Sequence, residues 1–107
     1  MRIRNDYTKS EDILDEEIDF IATVSDALAH PARIRLMRYI MDCNKAMTPV
    51  CNKDLAAAFG YAQSTISQHM KTLVKSGLVE VEKVERSTFY YVTLGVLALY
   101  VDTTKRI

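Results

Sequence analysis

Six polar side chains at the start of one predicted helix are the residues of this sequence best suited to hydrogen-bond chemistry. They lie in the stretch YAQSTISQHMKTLVKSGLVE, residues 61–80, and are Gln63, Ser64, Thr65, Ser67, Gln68 and His69. Such residues are indifferent helix formers, because their side chains compete for backbone hydrogen bonds. Glutamine can form two hydrogen bonds to an adenine edge, and serine or threonine can bond to a base or a phosphate. Taken alone, the pattern also fits the solvated face of any surface helix.

An apolar face on the same helix, predicted over residues 62–76, can hold it to a core. Its members recur at helical spacing and are Ile66, Met70, Leu73 and Val74. Another side carries a polar stripe made of Ser64, Ser67, Gln68, Lys71 and Lys75, with Gln63 at the tip. A short helix, KDLAAAFG, comes before it, with Asn52 as the expected cap and Gly60 as the expected stop. Residues 53–76 therefore predict a helix-turn-helix, whose second helix enters the DNA major groove.

The periodicity changes after Gly77. The stretch LVEVEKVERSTFYYVT, residues 78–93, alternates apolar and polar residues and predicts a two-stranded hairpin with a turn near Glu85–Ser87. The hairpin end carries Lys83, Arg86, Ser87 and Thr88 and suits a wing that touches phosphate or the minor groove. A capped short helix, a glycine turn, a Gln/Ser-rich helix start and a hairpin together favour DNA binding over a bland polar face. The predicted DNA-binding residues are Gln63, Ser64, Thr65, Ser67, Gln68, His69, Lys71, Lys83, Arg86 and Ser87.

The remaining segments predict three more helices around this unit. Apolar residues at helical spacing indicate a first helix over residues 12–28, and Pro31 suits the first turn of a second. Residues 94–105 are largely apolar and predict a last helix. The expected fold is mainly α with a two-stranded β-hairpin wing, a winged helix-turn-helix of order α1-α2-α3-α4-β1-β2-α5. It forms a single domain over residues 12–107, after a polar N-terminal arm at residues 1–11.

Length and composition fit one compact, soluble globular domain. The 107 residues suffice for one domain, and formal charge is zero overall. Residues 1–20 hold three basic and seven acidic side chains, so the rest of the chain carries a net charge of +4, compatible with a basic working face. No apolar run has membrane-spanning length and the start lacks a signal-peptide core, so we expect a cytoplasmic protein with no membrane contact.

Enzymatic activity is not expected. The sequence has no Gly-rich phosphate loop and no plausible nucleophile–His–carboxylate set, and the chain is short for a closed pocket. A different alternative stays open: a winged-helix domain can serve protein–protein contact without specific DNA binding.

In its running order, the sequence resembles the ArsR/SmtB family of winged helix-turn-helix repressors. The resemblance covers roughly residues 20–95 and is carried by ALAHPARIRLMRYI and DLAAAFGYAQSTISQHMKTLVKSGLVEVEKVERSTFYYVT. It places Gln63, Ser64, Ser67 and Gln68 at the family's DNA-facing positions, and His69 and Lys71 also match. It implies a homodimer built by the helices at 12–28 and 94–105, which binds an inverted-repeat operator in double-stranded DNA and is released by an inducer. The apolar surface of both terminal helices independently favours a dimer, although both could instead complete a monomer core.

The family's usual metal sites are not intact in this sequence. Where metal-sensing members carry a Cys-x-Cys-Asp-Leu stretch, this chain reads CNKDL, so Cys51 matches the first cysteine and Lys53 replaces the second. The last helix offers Asp102 and no histidine. No resident metal or cofactor is therefore expected. Cys43 and Cys51 could form a redox switch or a metalloid site, but two small buried apolar residues are the slightly favoured interpretation.

Overall fold

The computed structural model describes residues 12–107, so the predicted arm at residues 1–11 lies outside the described part. Five helices and one antiparallel hairpin follow in the predicted order, which confirms the fold class. The helices and strands are α1 (Asp15–Ala27), α2 (Pro31–Lys45), α3 (Asn52–Phe59), α4 (Gln63–Lys75), β1 (Val79–Val84), β2 (Ser87–Val92) and α5 (Leu94–Thr104). Within residues 12–107, no helix combines the length and apolarity needed to cross a membrane.

One apolar core joins the helices to the hairpin. Each element except α5 contributes at least one buried apolar side chain, and α5 packs Val96, Leu97 and Tyr100 against the cluster. The side chains under 2% exposed include Val24, Leu36, Ile40, Leu55, Ile66, Met70, Leu73, Leu78 and Val79. Burial of this apolar surface is the main term that fixes the helix-turn-helix on its support.

The helix ends show why sequence reasoning misplaced one cap. The prediction that Asn52 caps α3 is wrong: Cys51 is the capping position, and its backbone N–H donates to the Asp54 carboxylate at 3.0 Å. Asn52 is instead the first helical residue, so its amide is free to bond elsewhere. The stop at Gly60 is as predicted, because this residue adopts the left-handed conformation with φ 69°. In α2, His30 is the N-cap before Pro31, and its Nδ1 accepts from the Ala32 N–H.

The hairpin is anchored to α2 by one asparagine. Asn44 donates from Nδ2 to the Tyr90 carbonyl at 3.2 Å and accepts the Val92 N–H at 2.9 Å. The same edge of β2 is also paired by backbone, because the Tyr90 N–H donates to the Val50 carbonyl at 3.0 Å. The strands pair in register from Val79 opposite Val92 to Val84 opposite Ser87, which leaves a two-residue turn. Glu85 in that turn has φ 57°, an uncommon conformation for a residue with a side chain.

The first and last helices pack against each other. The Ser25 and Tyr100 hydroxyls are 2.7 Å apart, and Arg106 forms an ion pair with Glu17. The Glu17 carboxylate also accepts the Leu14 N–H, which fixes the start of α1 near Asp15 and not at the predicted residue 12. Arg106 therefore lowers the pKa of Glu17, chiefly through the hydrogen bond.

Candidate nucleic-acid interface

The fourth helix, α4, is buried on one face and open along the opposite side. Ile66, Met70 and Leu73 are at most 1% exposed, and Val74 packs at the edge of the core, as its spacing predicted. The predicted hydrogen-bonding residues on the other sides of the helix are exposed: Gln63, Ser64, Thr65, Ser67, Gln68 and Lys71. The helix therefore presents most of its polar start to solvent while its apolar face is held.

Asn52 positions the start of α4 against the hairpin. Its Nδ2 donates to the Gln63 carbonyl at 3.3 Å, and its Oδ1 accepts from the Tyr90 hydroxyl at 3.3 Å. One side chain thus connects α3, α4 and β2. Burial is the main cause that raises the pKa of Tyr90, so this phenol stays a neutral donor.

An open cleft brings the start of α4 and the hairpin tip together. It has a volume of about 490 Å³, and its walls include Gln63 and Ser67 from α4 and Arg86, Ser87 and Thr88 from the tip. Lys53, Asn52, Cys51 and Tyr90 complete the lining. Four predicted DNA-binding residues from two separate elements therefore share one cleft.

Lys71 and Lys83 lie at a second opening. Both line a groove between α4 and the hairpin, together with Ser67. Ser64, Thr65 and Gln68 line neither opening among those described and project from the outer sides of α4.

His69 is placed apart from the other predicted residues. Its ring lies 4.7 Å from that of His30 and 6.5 Å from that of Tyr61, measured between centroids, so it points back towards the start of α2. Desolvation lowers the pKa of His69, and the charges of His30 and Arg33 lower it further. A DNA contact by His69 stays a prediction. The packing of its ring against His30 does not favour such a contact.

Asn52 and Tyr90 are the positioning residues that sequence reasoning missed. The sequence predicts Asn52 only as a helix cap. The available signal was the strand alternation, which puts Tyr90 on the same face as Val92 and opposite to Phe89 and Tyr91. A tyrosine on the inner face of a hairpin requires a partner for its hydroxyl.

The two cysteines are half-buried free thiols that line different clefts. Cys51 lines the cleft shared by α4 and the hairpin tip, whereas Cys43 lines one formed with Tyr39, Pro49 and Asp54, among others. Within residues 12–107, no group of three or more His, Cys, Asp or Glu side chains is arranged to hold a metal ion. A sensor role for either thiol stays a prediction.

Part of this arrangement is similar to known bacterial regulatory proteins. Residues 30–81, which span α2, α3, α4 and the start of β1, match the family of bacterial regulatory proteins described as the arsR family. A transcriptional repressor SmtB homolog from Synechocystis sp. is 34% identical over 70 residues, or 65% of this chain. The central part of the chain is therefore similar to regulators of the ArsR/SmtB type. The match spans about half (49%) of that curated relative's length.

Solved structures show the same fold. An ArsR-like transcriptional regulator from Rhodococcus sp. has a TM-score of 0.73 at 23% identity, covering 85% of this chain and 81% of its own. A homodimeric winged helix-turn-helix DNA-binding domain from Mycobacterium bovis, a possible ArsR-family regulator, has a TM-score of 0.68 at 22% identity. That match covers 98% of this chain and 88% of the other. At these identities the likeness shows the winged helix-turn-helix fold of this chain.

Proposed function

We propose that this chain is a homodimeric, sequence-specific DNA-binding transcriptional repressor that an inducer releases from an inverted-repeat operator. One observation carries the proposal: the exposed polar start of α4 and the hairpin tip share a cleft. In a winged helix-turn-helix, these are the two parts that meet the major groove and the adjacent backbone. The cleft alone supports DNA contact by Gln63, Ser67, Arg86 and Ser87.

The charge distribution supports the same surface. Lys71, Lys83 and Arg86 are exposed around the openings between α4 and the hairpin. Successive strand residues point to opposite faces, so Glu80 and Glu82 face away from the side that carries Lys83. The cations can neutralise phosphates without acidic neighbours from β1, and this neutralisation makes binding salt-dependent.

The terminal helices support dimer formation. Leu14 and Ile18 at α1 and Leu99 and Val101 on α5 are between 48% and 57% exposed, although α1 and α5 already pack together. A symmetric partner would cover such apolar side chains. Two copies of α4 about one DNA turn apart would then contact the two half-sites together, which multiplies affinity.

A titration of labelled DNA tests this function. The fragment upstream of the chain's own gene is compared with a scrambled fragment of the same length and composition, at several salt concentrations. We expect preferential binding to the upstream fragment and an affinity that falls steeply with salt. A winged-helix module that only contacts proteins would shift neither fragment, and that outcome would overturn the proposal.

The signal is a separate hypothesis, in which Cys43 and Cys51 sense an oxidant or a metalloid. Cys51 supports it because this thiol lines the same cleft as Gln63 and Ser67, so a bulky adduct there would obstruct DNA. The test adds arsenite, antimonite or a thiol oxidant to the DNA complex of the parent and of Cys43→Ser/Cys51→Ser. If the additive releases DNA from the parent but not from the double variant, cysteine sensing is supported. If DNA is released equally from both proteins, cysteine sensing is contradicted.

A further inference from the structure

A groove between α4 and the hairpin has an apolar floor that DNA contact does not explain. Its volume is about 610 Å³, and its floor is formed by Met70 and Val74 from α4 and by Val81 and Tyr90 from the hairpin. Val81 is 42% exposed although it lies on the same face of the hairpin as buried Val79 and Tyr90. We call this feature the α4–wing groove. A surface that only met phosphates would not need this floor, because phosphates bind to cations and polar groups.

The rim of the α4–wing groove is cationic. Lys71 and Lys75 line one side and Lys83 the other, and Ser67 and Thr88 complete the lining, which contains no carboxylate. Lysine side chains can lay their methylene stems along apolar surface while their ammonium groups remain in water. The acidic residues of β1 are on the opposite face of the hairpin, where Glu82 accepts a hydrogen bond from the Tyr91 hydroxyl.

We propose that the α4–wing groove binds a small amphipathic anion, a carboxylate carrying an extended apolar chain. The apolar chain lies over Val81 and Val74, and the carboxylate is held by the lysines of the rim. The occupant is identified by charge complementarity, since three cations without a lining carboxylate select an anion over a neutral or cationic molecule of the same shape. Partly apolar concave surfaces with a few polar groups are the usual form of small-molecule sites.

Occupancy of the groove has a consequence for DNA that rests on the function proposed above. Ser67, Lys71 and Lys83 line the groove and are also predicted DNA contacts. A bound anion would cover Ser67 and compete with phosphates for the two lysines, so ligand and DNA exclude each other. The groove is therefore a place where an inducer of this chemical class acts by direct competition.

The first experiment measures ligand binding without DNA. The full chain is titrated calorimetrically with decanoate below its micelle concentration, with decanol as the uncharged probe and with acetate as the anion without a chain. We expect saturable binding of decanoate and at least roughly tenfold weaker binding of the other two, because each lacks one half of the recognition. Equal binding of decanol, or no binding of decanoate, would overturn the proposal.

Two matched variants locate the site. Val81→Thr places a hydroxyl on the groove floor, and Val84→Thr makes the same change at a 47% exposed valine on the opposite face of the same strand. We expect Val81→Thr to weaken decanoate binding roughly threefold to tenfold and Val84→Thr to leave it unchanged. If both variants bind decanoate as tightly as the parent, decanoate binds elsewhere and the proposal is wrong.

A competition titration then separates the two proposals. Decanoate is expected to release DNA from the parent at lower concentration than from Val81→Thr, whereas acetate at equal ionic strength has no such effect. Decanoate binding at the groove with no DNA binding at all would contradict the DNA function and leave the site established. DNA binding that decanoate never weakens would contradict the competition.

Discussion

At the residue scale, the position of each polar side chain indicates whether it contacts DNA bases or the DNA backbone. Gln63 and Ser67 lie on the helix itself and line the cleft beside Arg86. An amide or hydroxyl at the start of a recognition helix can reach base edges, while a guanidinium on a wing meets phosphate or the minor groove. Substitution of these residues should therefore have different effects on sequence preference.

The first prediction concerns specificity. Gln63→Ala and Ser67→Ala should each weaken binding to the preferred sequence by about 1–3 kcal/mol and leave binding to random DNA nearly unchanged. Arg86→Ala should weaken both and reduce the salt dependence of binding by about one ion. Fluorescence anisotropy with the two DNAs at three salt concentrations measures this, and equal losses on both DNAs for all three variants would contradict the assignment.

The second prediction concerns His69 and pH. Burial and the nearby charges lower the pKa of His69 from its ordinary 6.5, so the unfolded chain binds the proton more readily than the folded one. The free energy of unfolding should therefore fall as the pH falls below about 6.5, and become level again below the folded pKa. His69→Gln should reduce this fall.

Urea unfolding of the parent and of His69→Gln at several pH values between 7.5 and 5 measures this effect at one protein concentration. The comparison isolates His69, because groups common to both proteins cancel. The lowered pKa of Glu17 acts below its ordinary value of 4.5 and stays outside this window. Identical pH dependence of the two proteins would show that His69 is not the responsible group.

At the element scale, the turn between α3 and α4 fixes the angle at which α4 leaves the core. Gly60 ends α3 in the left-handed conformation, where an added Cβ would meet no atom within 4 Å. Glycine is therefore required at position 60 by the backbone conformation and not by lack of space for a side chain. Gly95 in the first turn of α5 also has open space around it, but has no positive φ.

The third prediction uses these two glycines as a matched pair. Gly60→Ala should destabilise the fold by about 1–2 kcal/mol, because a residue with Cβ is strained at positive φ. Gly95→Ala should stabilise it by up to about 1 kcal/mol, because alanine favours the helical conformation already present. Urea unfolding at a fixed protein concentration measures both, and effects of the same sign would contradict the explanation.

The helices and strands of this fold were predictable from the sequence, whereas the side-chain hydrogen bonds that join them were not. The apolar spacing on α4 and the alternation in the hairpin predicted which side of each element faces the core, because burial on one side produces such periodicity. The roles of Asn52 and Asn44 were not predictable, since each bonds to backbone groups remote along the chain: Asn52 to Gln63, and Asn44 to Tyr90 and Val92. The cleft shared by Gln63 and Arg86 depends on those connections, so its composition could be predicted only in part.

At the scale of the whole molecule, α1 and α5 form a pair that the monomer leaves partly uncovered. Their contact is stabilised by the bond between Ser25 and Tyr100 and by the ion pair of Arg106 with Glu17. Ile18 and Leu99 nevertheless remain about half exposed. In the proposed dimer this surface becomes the interface.

The fourth prediction tests that interface. Ile18→Glu or Leu99→Glu should shift the protein from dimer to monomer, because each places a charge in an apolar contact. Val84→Glu is the control, since Val84 is similarly exposed but lies on the hairpin. Sedimentation equilibrium measures the mass of each variant. A monomeric parent, or dimers of unchanged affinity in both interface variants, would contradict the proposed surface.

In the proposed dimer, two copies of this chain read DNA sequence together, and selection from random DNA is the most direct test. The purified chain is incubated with a library of double-stranded fragments, and the bound fraction is amplified and sequenced over several rounds. We expect enrichment of an inverted repeat whose half-sites are centred about 10 base pairs apart, and loss of that preference in Gln63→Ala. Recovery of DNA without a common sequence, or of single half-sites without a symmetric partner, would contradict it.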